Sequence, residues 1–385
     1  MITSADNGKN FSDLKVSTVT GECVSIIGAS DVTIKASDIG PCGEDNSSAA
    51  SNGIHVSGSN GIKIYDNYIH VETRASGCCD SHDDILVDQG STDTEIQGNV
   101  IAFGESNIEL QGANGPIKKL RVIGNFFLNP QGDYPRGHNF QSWSGTDHNS
   151  QITIADNYSL SCTVEAGSLG VQCPIQTGSY YRSERQQDAI NMGFTDSILV
   201  ENNWISGGHS SAGCGIVLDE ATNGAIVQQN VLSNTGQCGI GVAGGSDHVI
   251  NQNKILNLRS PENVGLYIWN QYPELCERLT ISNNISSVLA SDSDGCDPHT
   301  QSCNYNGFSD FGNCASVTDT TNNFDNGTYG PGGGPAFRIL YPISSTSPPP
   351  LIPPKPKYCV TRSPFSTQTS MRQCADSTSI RRGPL

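Results

Sequence analysis

Side chains able to move protons, carry charge or hold a metal gather in three short stretches: Asp80-Ser81-His82-Asp83-Asp84, Tyr134-Pro135-Arg136-Gly137-His138, and Asp188 to Asn191. Abstracting a proton beside a uronate carboxylate requires a group that neutralises that carboxylate, a base, and an acid for the leaving oxygen. Arg136 is the candidate neutraliser, His138 the base and Tyr134 the acid, with His82 an alternative base. Asp83, Asp84 and Asp88 supply oxygens suited to Ca²⁺ or to orienting the imidazoles. Inverting hydrolysis instead needs two carboxyl groups roughly 6.5–9.5 Å apart. Asp84 with Glu109 is the first pair to consider for it.

The elements that must position these groups are legible as a repeat. An Asn recurs in near-identical contexts at Asn67, Asn99, Asn125, Asn157, Asn203, Asn230, Asn253 and Asn284, each after a strand with apolar residues three and five positions earlier. Ile62 with Ile64, Leu120 with Val122 and Ile198 with Val200 are examples of this period-two pattern. A second strand opens every coil, with inward pairs from Ile54/Val56 through Ile108/Leu110 to Leu266/Ile268. Such short strands at this period predict an all-β chain folded as a right-handed parallel β-helix of about nine coils, ending in an irregular C-terminal tail. The recurring Asn residues are expected to form a structural ladder at a coil corner, the sequons at Asn157 and Asn284 included.

Aligning the opening strands sorts outward residues into columns. One reads His55, Leu86, Glu109, Gln141, Asn191, Val217, Gly241, Tyr267, and the other Ser57, Asp88, Gln111, Trp143, Gly193, Asp219, Ala243, Trp269. Asp80, Gln111, Gln141, Trp143, Asp188, Asn191, Asp219 and Trp269 are therefore candidate substrate-binding residues, because aromatic faces cover sugar rings while carboxylates and amides take their hydroxyls. A solvated acidic β-face is the bland alternative. The insertion from Leu160 to Gln187 lies beside this face, and Cys162 with Cys173 is a candidate staple for it.

Composition limits the partners. A net charge of −17 makes nucleic acid or an anionic membrane an unsuitable partner, and no apolar run is long enough to span a bilayer. Fourteen cysteines without paired zinc spacing point to disulfides and to a secreted, extracellular or periplasmic protein. The first residues lack a charged and an apolar leader segment, which suggests a mature form. Cys214 and Cys238 open successive coils at one column position and are expected to bond. Residues 331–385 hold seven Lys or Arg and one acid among Pro- and Gly-rich runs. The expected division is a β-helix over 1–290, a Cys-containing irregular cap over 291–330 and a mobile basic tail over 331–385.

With this repeat, roughly residues 20–290 resemble the pectate lyase-like β-helix superfamily. Asp80-Ser-His82 looks like the Asp-Pro-His motif of alginate epimerases and related lyases, with Ser81 in place of Pro. Arg136-Gly-His138-Asn-Phe is similar to their Arg-His-Gly-Phe-Asn, with the order after Arg altered. Ile85-Leu-Val-Asp88 resembles a calcium-binding strand of pectate lyases in a register shifted by one residue, and Tyr134-Pro135-Arg136 resembles the segment carrying their catalytic Arg. Asp83-Asp84 resembles the Asp pair of polygalacturonases, whose other motifs are missing here. The resemblance implies a secreted enzyme acting on a polysaccharide, with lyase or uronate epimerase activity as the leading reading. An inverting glycoside hydrolase and a non-catalytic carbohydrate-binding or adhesin-type β-helix are the alternatives.

Overall fold

The computed structural model is described over residues 1–43, 51–71, 82–130, 137–145, 147–161, 187–207, 210–258, 264–289, 308–310 and 312–325. It is a parallel β-helix of three sheets, whose chain visits the opening, second and third sheets in turn in every coil. Among the described residues the opening sheet has ten strands, from Val24–Ile27 to Phe308–Asp310; the second has twelve and the third eleven. Among the described residues every pairing between strands is parallel, and no α-helix occurs. The handedness is that of β-crossover-β connections generally, right-handed.

The coils close because each strand alternates inward Val, Ile or Leu with an outward residue. The inward pairs Ile54/Val56, Ile85/Val87, Ile108/Leu110, Ile216/Leu218 and Ile240/Val242 are all fully buried in one continuous core. Burial of such a stack is the main favourable term, since parallel pairing of short strands contributes little by itself.

The second corner of the coil, between the second and third sheets, is set by two adjacent residues. The first is left-handed, as at Asp66 (φ 54°), Gly98 (φ 68°), Asp156 (φ 56°) and Asn202 (φ 53°). The second is the recurring Asn, which is buried at every position from Asn67 to Asn284. Asn125 shows the pattern: its amide nitrogen donates to Asn157 Oδ1 (3.1 Å) and Ile96 O (2.9 Å), while its Oδ1 accepts Asn99 N–H (3.0 Å) and Asn99 Nδ2 (3.0 Å). The ladder starts at Ser37, whose N–H donates to Asn67 Oδ1, and runs past Asn284 to Asn322.

Asn322 marks a departure from the expected boundaries. Phe308–Asp310, Ala315–Thr320 and Asn323–Asp325 continue the three sheets, so the β-helix extends beyond residue 290 into the stretch expected to be an irregular cap. The next ladder residue after Asn284 is Asn322, 38 residues on. At the other end, Asn10–Ser12 and Lys15–Thr18 add a partial coil ahead of the first one expected. The basic tail over 331–385 lies outside the described residues.

Among the described cysteines, Cys214 and Cys238 are bonded with Cα atoms 4.5 Å apart, as their column position requires. Cys23–Cys42 and Cys276–Cys314 pin the first and last coils. Cys162 and Cys173 lie outside the described residues.

Candidate functional site on the opening sheet

Strand register builds the face directly. His55, Leu86, Glu109, Gln141, Asn191, Val217, Gly241 and Tyr267 are partners in successive coils, in the order read from sequence. Ser57, Asp88, Gln111 and Trp143 form the next column. Backbone bonds from Gly193 N–H to Ser142 O, Asp219 N–H to Met192 O, Ala243 N–H to Leu218 O and Trp269 N–H to Val242 O carry the ladder on to Trp269.

The centre of the face is a connected set of polar groups. Asn191 Nδ2 donates to Asp188 Oδ2 at 3.0 Å and to Asp219 Oδ2 at 3.1 Å, so one amide holds two carboxylates from neighbouring coils. Their facing oxygens lie no farther apart than those two bonds laid end to end. Asp188 Oδ1 accepts Cys214 N–H at 2.7 Å, which ties this carboxylate to the disulfide-bonded coil. Asp219 Oδ1 accepts Tyr272 Oη at 2.6 Å and Glu220 N–H at 3.0 Å. Burial, reinforced by the Asp219 carboxylate, pushes the Tyr272 hydroxyl well above its usual range, so it stays a donor. Burial does the same to Tyr267, with Asp188 and Asp219 adding to the shift. Gly241 makes room for it, since a Cβ there would lie 2.6 Å from the Tyr267 ring.

Two members of the set retain unused hydrogen-bonding capacity. His138 is 1% exposed, with Nε2 3.5 Å from Asp188 Oδ2, and neither ring nitrogen has a hydrogen-bond partner. Asn191 is 6% exposed and its Oδ1 has none. Buried polar groups are normally satisfied, so such exceptions call for a functional explanation. Trp143 and Trp269, 38% and 42% exposed, lie in the Asp219 column on either side of it. Trp143 rests where Gly193 has no side chain and meets Phe194 edge-on at 5.0 Å.

Other sequence-predicted residues fall elsewhere. Asp84 is fully buried, and its two oxygens accept Val71 N–H (2.8 Å) and Gly104 N–H (3.0 Å). It thus stands at a corner, where it accepts two backbone donors. Asp83 Oδ1 likewise accepts Ser106 N–H at 3.0 Å. Glu109 remains on the face, buried and accepting Gln111 Nε2 at 2.8 Å, beside the buried Gln141. His82 is buried at the strand start, where its carbonyl accepts Glu105 N–H. Asp80, Tyr134 and Arg136 lie outside the described residues. Sequence reasoning missed Tyr272, which reaches Asp219 from a loop that belongs to no column.

Asp88 belongs to a separate assembly. His55 Nδ1 is 2.6 Å from Glu22 Oε1 and its Nε2 is 3.1 Å from Asp88 Oδ2, which joins three successive coils. Burial alone would lower the His55 pKa, but its bonds to Asp88 and Glu22 prevail and raise it to about 9. With Asp88 so engaged and Asp83 and Asp84 accepting backbone donors, the three aspartates do not fit the six to eight oxygens that calcium takes. Among the described residues no group of three His, Cys, Asp or Glu is placed to hold a metal ion.

Residues 175–330, less than half of the chain, match the family described as periplasmic copper-binding protein (NosD). A comparison with curated proteins returns no match. Among solved structures, the periplasmic alginate epimerase AlgG is similar at 10% identity and a TM-score of 0.46, covering 82% of this chain and 77% of the other. An alginate lyase from Paenibacillus sp. is similar at 13% identity and 0.41, covering 78% and 99%. The catalytic domain of a GH87 α-1,3-glucanase is similar at 14% identity and 0.38, covering 84% and 56%. Sites are grafted onto shared folds, so the catalytic residues of those enzymes are not carried over to this chain.

Proposed function

We propose that this protein is a carbohydrate-active enzyme that hydrolyses a polysaccharide through Asp188 and Asp219. The observation that carries the reading is the pair of carboxylates on one Asn191 amide, next to the unpartnered ring nitrogens of the buried His138. Glycoside hydrolysis uses two carboxyl groups whose separation falls between roughly 5 and 9.5 Å in the two stereochemical classes. In the protonated form one acid gives its proton to the glycosidic oxygen as the C–O bond breaks; the ionised partner takes a proton from water or attacks the anomeric carbon. Asn191 holds the pair in place, His138 Nε2 stands 3.5 Å from Asp188, and Asn191 Oδ1 keeps unused acceptor capacity beside them. Charge supports a neutral glycan: every described Lys or Arg within a strand lies on the second or third sheet.

A second reading, β-elimination or epimerisation of a uronate, draws on His138. Its unpartnered nitrogens beside Asp188 suit an oriented base, with Arg136 and Tyr134 supplying the neutraliser and acid. The disulfides on three pairs of described cysteines support an oxidising location, secreted or periplasmic. No helix among the described residues is long and apolar enough to cross a membrane.

Incubating the protein with a panel of neutral and uronate polysaccharides, with and without Ca²⁺, tests both readings. New reducing ends without ultraviolet-absorbing unsaturated products are expected. Unsaturated products would select elimination, and proton exchange at C5 without cleavage would select epimerisation. Neither signal on any substrate would leave a binding module.

A further inference from the structure

Asp219 sits midway along a column that reads Trp143, Gly193, Asp219, Ala243, Trp269, one residue per coil. Each exposed indole is therefore two coil spacings from the carboxylate, about 10 Å along the helix axis at roughly 4.8 Å per coil. We infer that the polysaccharide lies along this axis and is cut internally, with Trp143 and Trp269 gripping sugar rings on opposite sides of the scissile bond. The inference rests on the hydrolytic reading above and adds the cleavage mode to it.

Three features carry it. The two Trp residues are among the few large apolar side chains left exposed, and they share one column with the acid between them. Trp143 is fixed rather than loose, because its ring lies over Gly193, where a Cβ would approach within 2.7 Å, and abuts Phe194. Trp269 begins the turn whose Tyr272 hydroxyl holds Asp219, so the second platform and the carboxylate are set by one segment. Beyond Trp143 the column continues to Gln111, a polar position for a sugar farther from the cut. An enzyme that trims chain ends needs binding on mainly one side of the acid; platforms at equal reach on both sides suit a chain that passes through.

The test follows viscosity and reducing ends together on whichever polysaccharide of the neutral panel the wild-type full chain cleaves, and repeats this for Trp143→Ala and Trp269→Ala. Viscosity should collapse while few reducing ends have formed, with oligosaccharides of mixed length as early products. Each Trp variant should raise KM by about tenfold, near the loss of one aromatic contact, with its melting temperature unchanged. Release of a single short product from the start, with viscosity falling in proportion to reducing ends, would overturn internal cleavage and leave the hydrolytic reading intact. A Trp variant with unaltered KM would remove that platform and overturn the two-sided arrangement. No reducing ends from any polysaccharide would overturn the hydrolytic reading and this inference with it.

Discussion

Asparagine is used in two opposite ways in this molecule. At the corner between the second and third sheets, the Asn125 side chain makes four hydrogen bonds and leaves nothing over. On the opening sheet, the likewise buried Asn191, 6% exposed, gives its amide nitrogen to two carboxylates and keeps its oxygen unpartnered. The difference lies in what each amide meets. The corner presents a repeating backbone donor and carbonyl, so one residue type satisfies every coil. The face presents a different residue in each coil, so hydrogen-bonding capacity is left for a ligand. A polar group that is fully matched by its neighbours reads as structure, and one that is not reads as a site.

The largest expected effect separates these two roles. Asp188→Asn and Asp219→Asn should each lower the rate of reducing-end formation by about 10² to 10⁴, the usual contribution of positioned proton transfer, with little change in melting temperature. Asn191→Leu should resemble them in activity. Variants that lose stability instead would place this cluster with the corner ladder.

Asn125→Leu should do the reverse. Corner amides left unpaired should cost roughly 1–3 kcal/mol in denaturant unfolding, while turnover per folded molecule stays at the wild-type value. An unchanged unfolding midpoint would break the comparison from the structural side.

A smaller effect is expected from Tyr272→Phe, which removes one donor to Asp219 and keeps the ring. kcat should fall by about tenfold, the equivalent of one hydrogen bond to a charged group, with KM unchanged. A change confined to KM would assign Tyr272 to sugar binding rather than to holding the carboxylate.

Two histidines extend the contrast to pH. His248 is buried at a corner, where its Nδ1 accepts Ala225 N–H, and burial lowers its pKa to about 4. The unfolded chain takes up this proton near the ordinary value of 6.5, so the contribution of His248 is intact above pH 6.5 and falls as pH drops toward 4. His55, raised to about 9 by its carboxylate partners, acts in the opposite sense: its contribution is intact below pH 6.5 and is lost as pH rises through 9. Glu22, whose pKa is lowered although burial opposes the shift, withdraws from the clasp as acid protonates it. His55→Gln should therefore flatten the decline of melting temperature between pH 6.5 and 9. An unaltered alkaline slope would show that the clasp does not hold the first coils together.

The central coils, the Asn corner, both outward columns and the Cys214–Cys238 bond follow from sequence alone, because each depends on a period that repeats and on side chains that alternate strictly between core and solvent. Asn191, Asp188, Asp219, Trp143 and Trp269 could be placed on one face for that reason. What only the tertiary structure decided is which of these groups still have hydrogen bonds to offer. Asp84 and Asp188 are both acids at strand starts and look alike in sequence; Asp84 gives both oxygens to the N–H groups of Val71 and Gly104, whereas Asp188 gives one to Cys214 N–H and turns the other toward Asn191 and His138. Tyr272 reaches Asp219 across two coils from a turn whose path no periodicity describes, and the coil around Asn322 lay beyond a break in the period. Register is a property of local alternation and can be read along the chain. Hydrogen-bond satisfaction is a property of three-dimensional neighbours, and it is what separates the site from the scaffold.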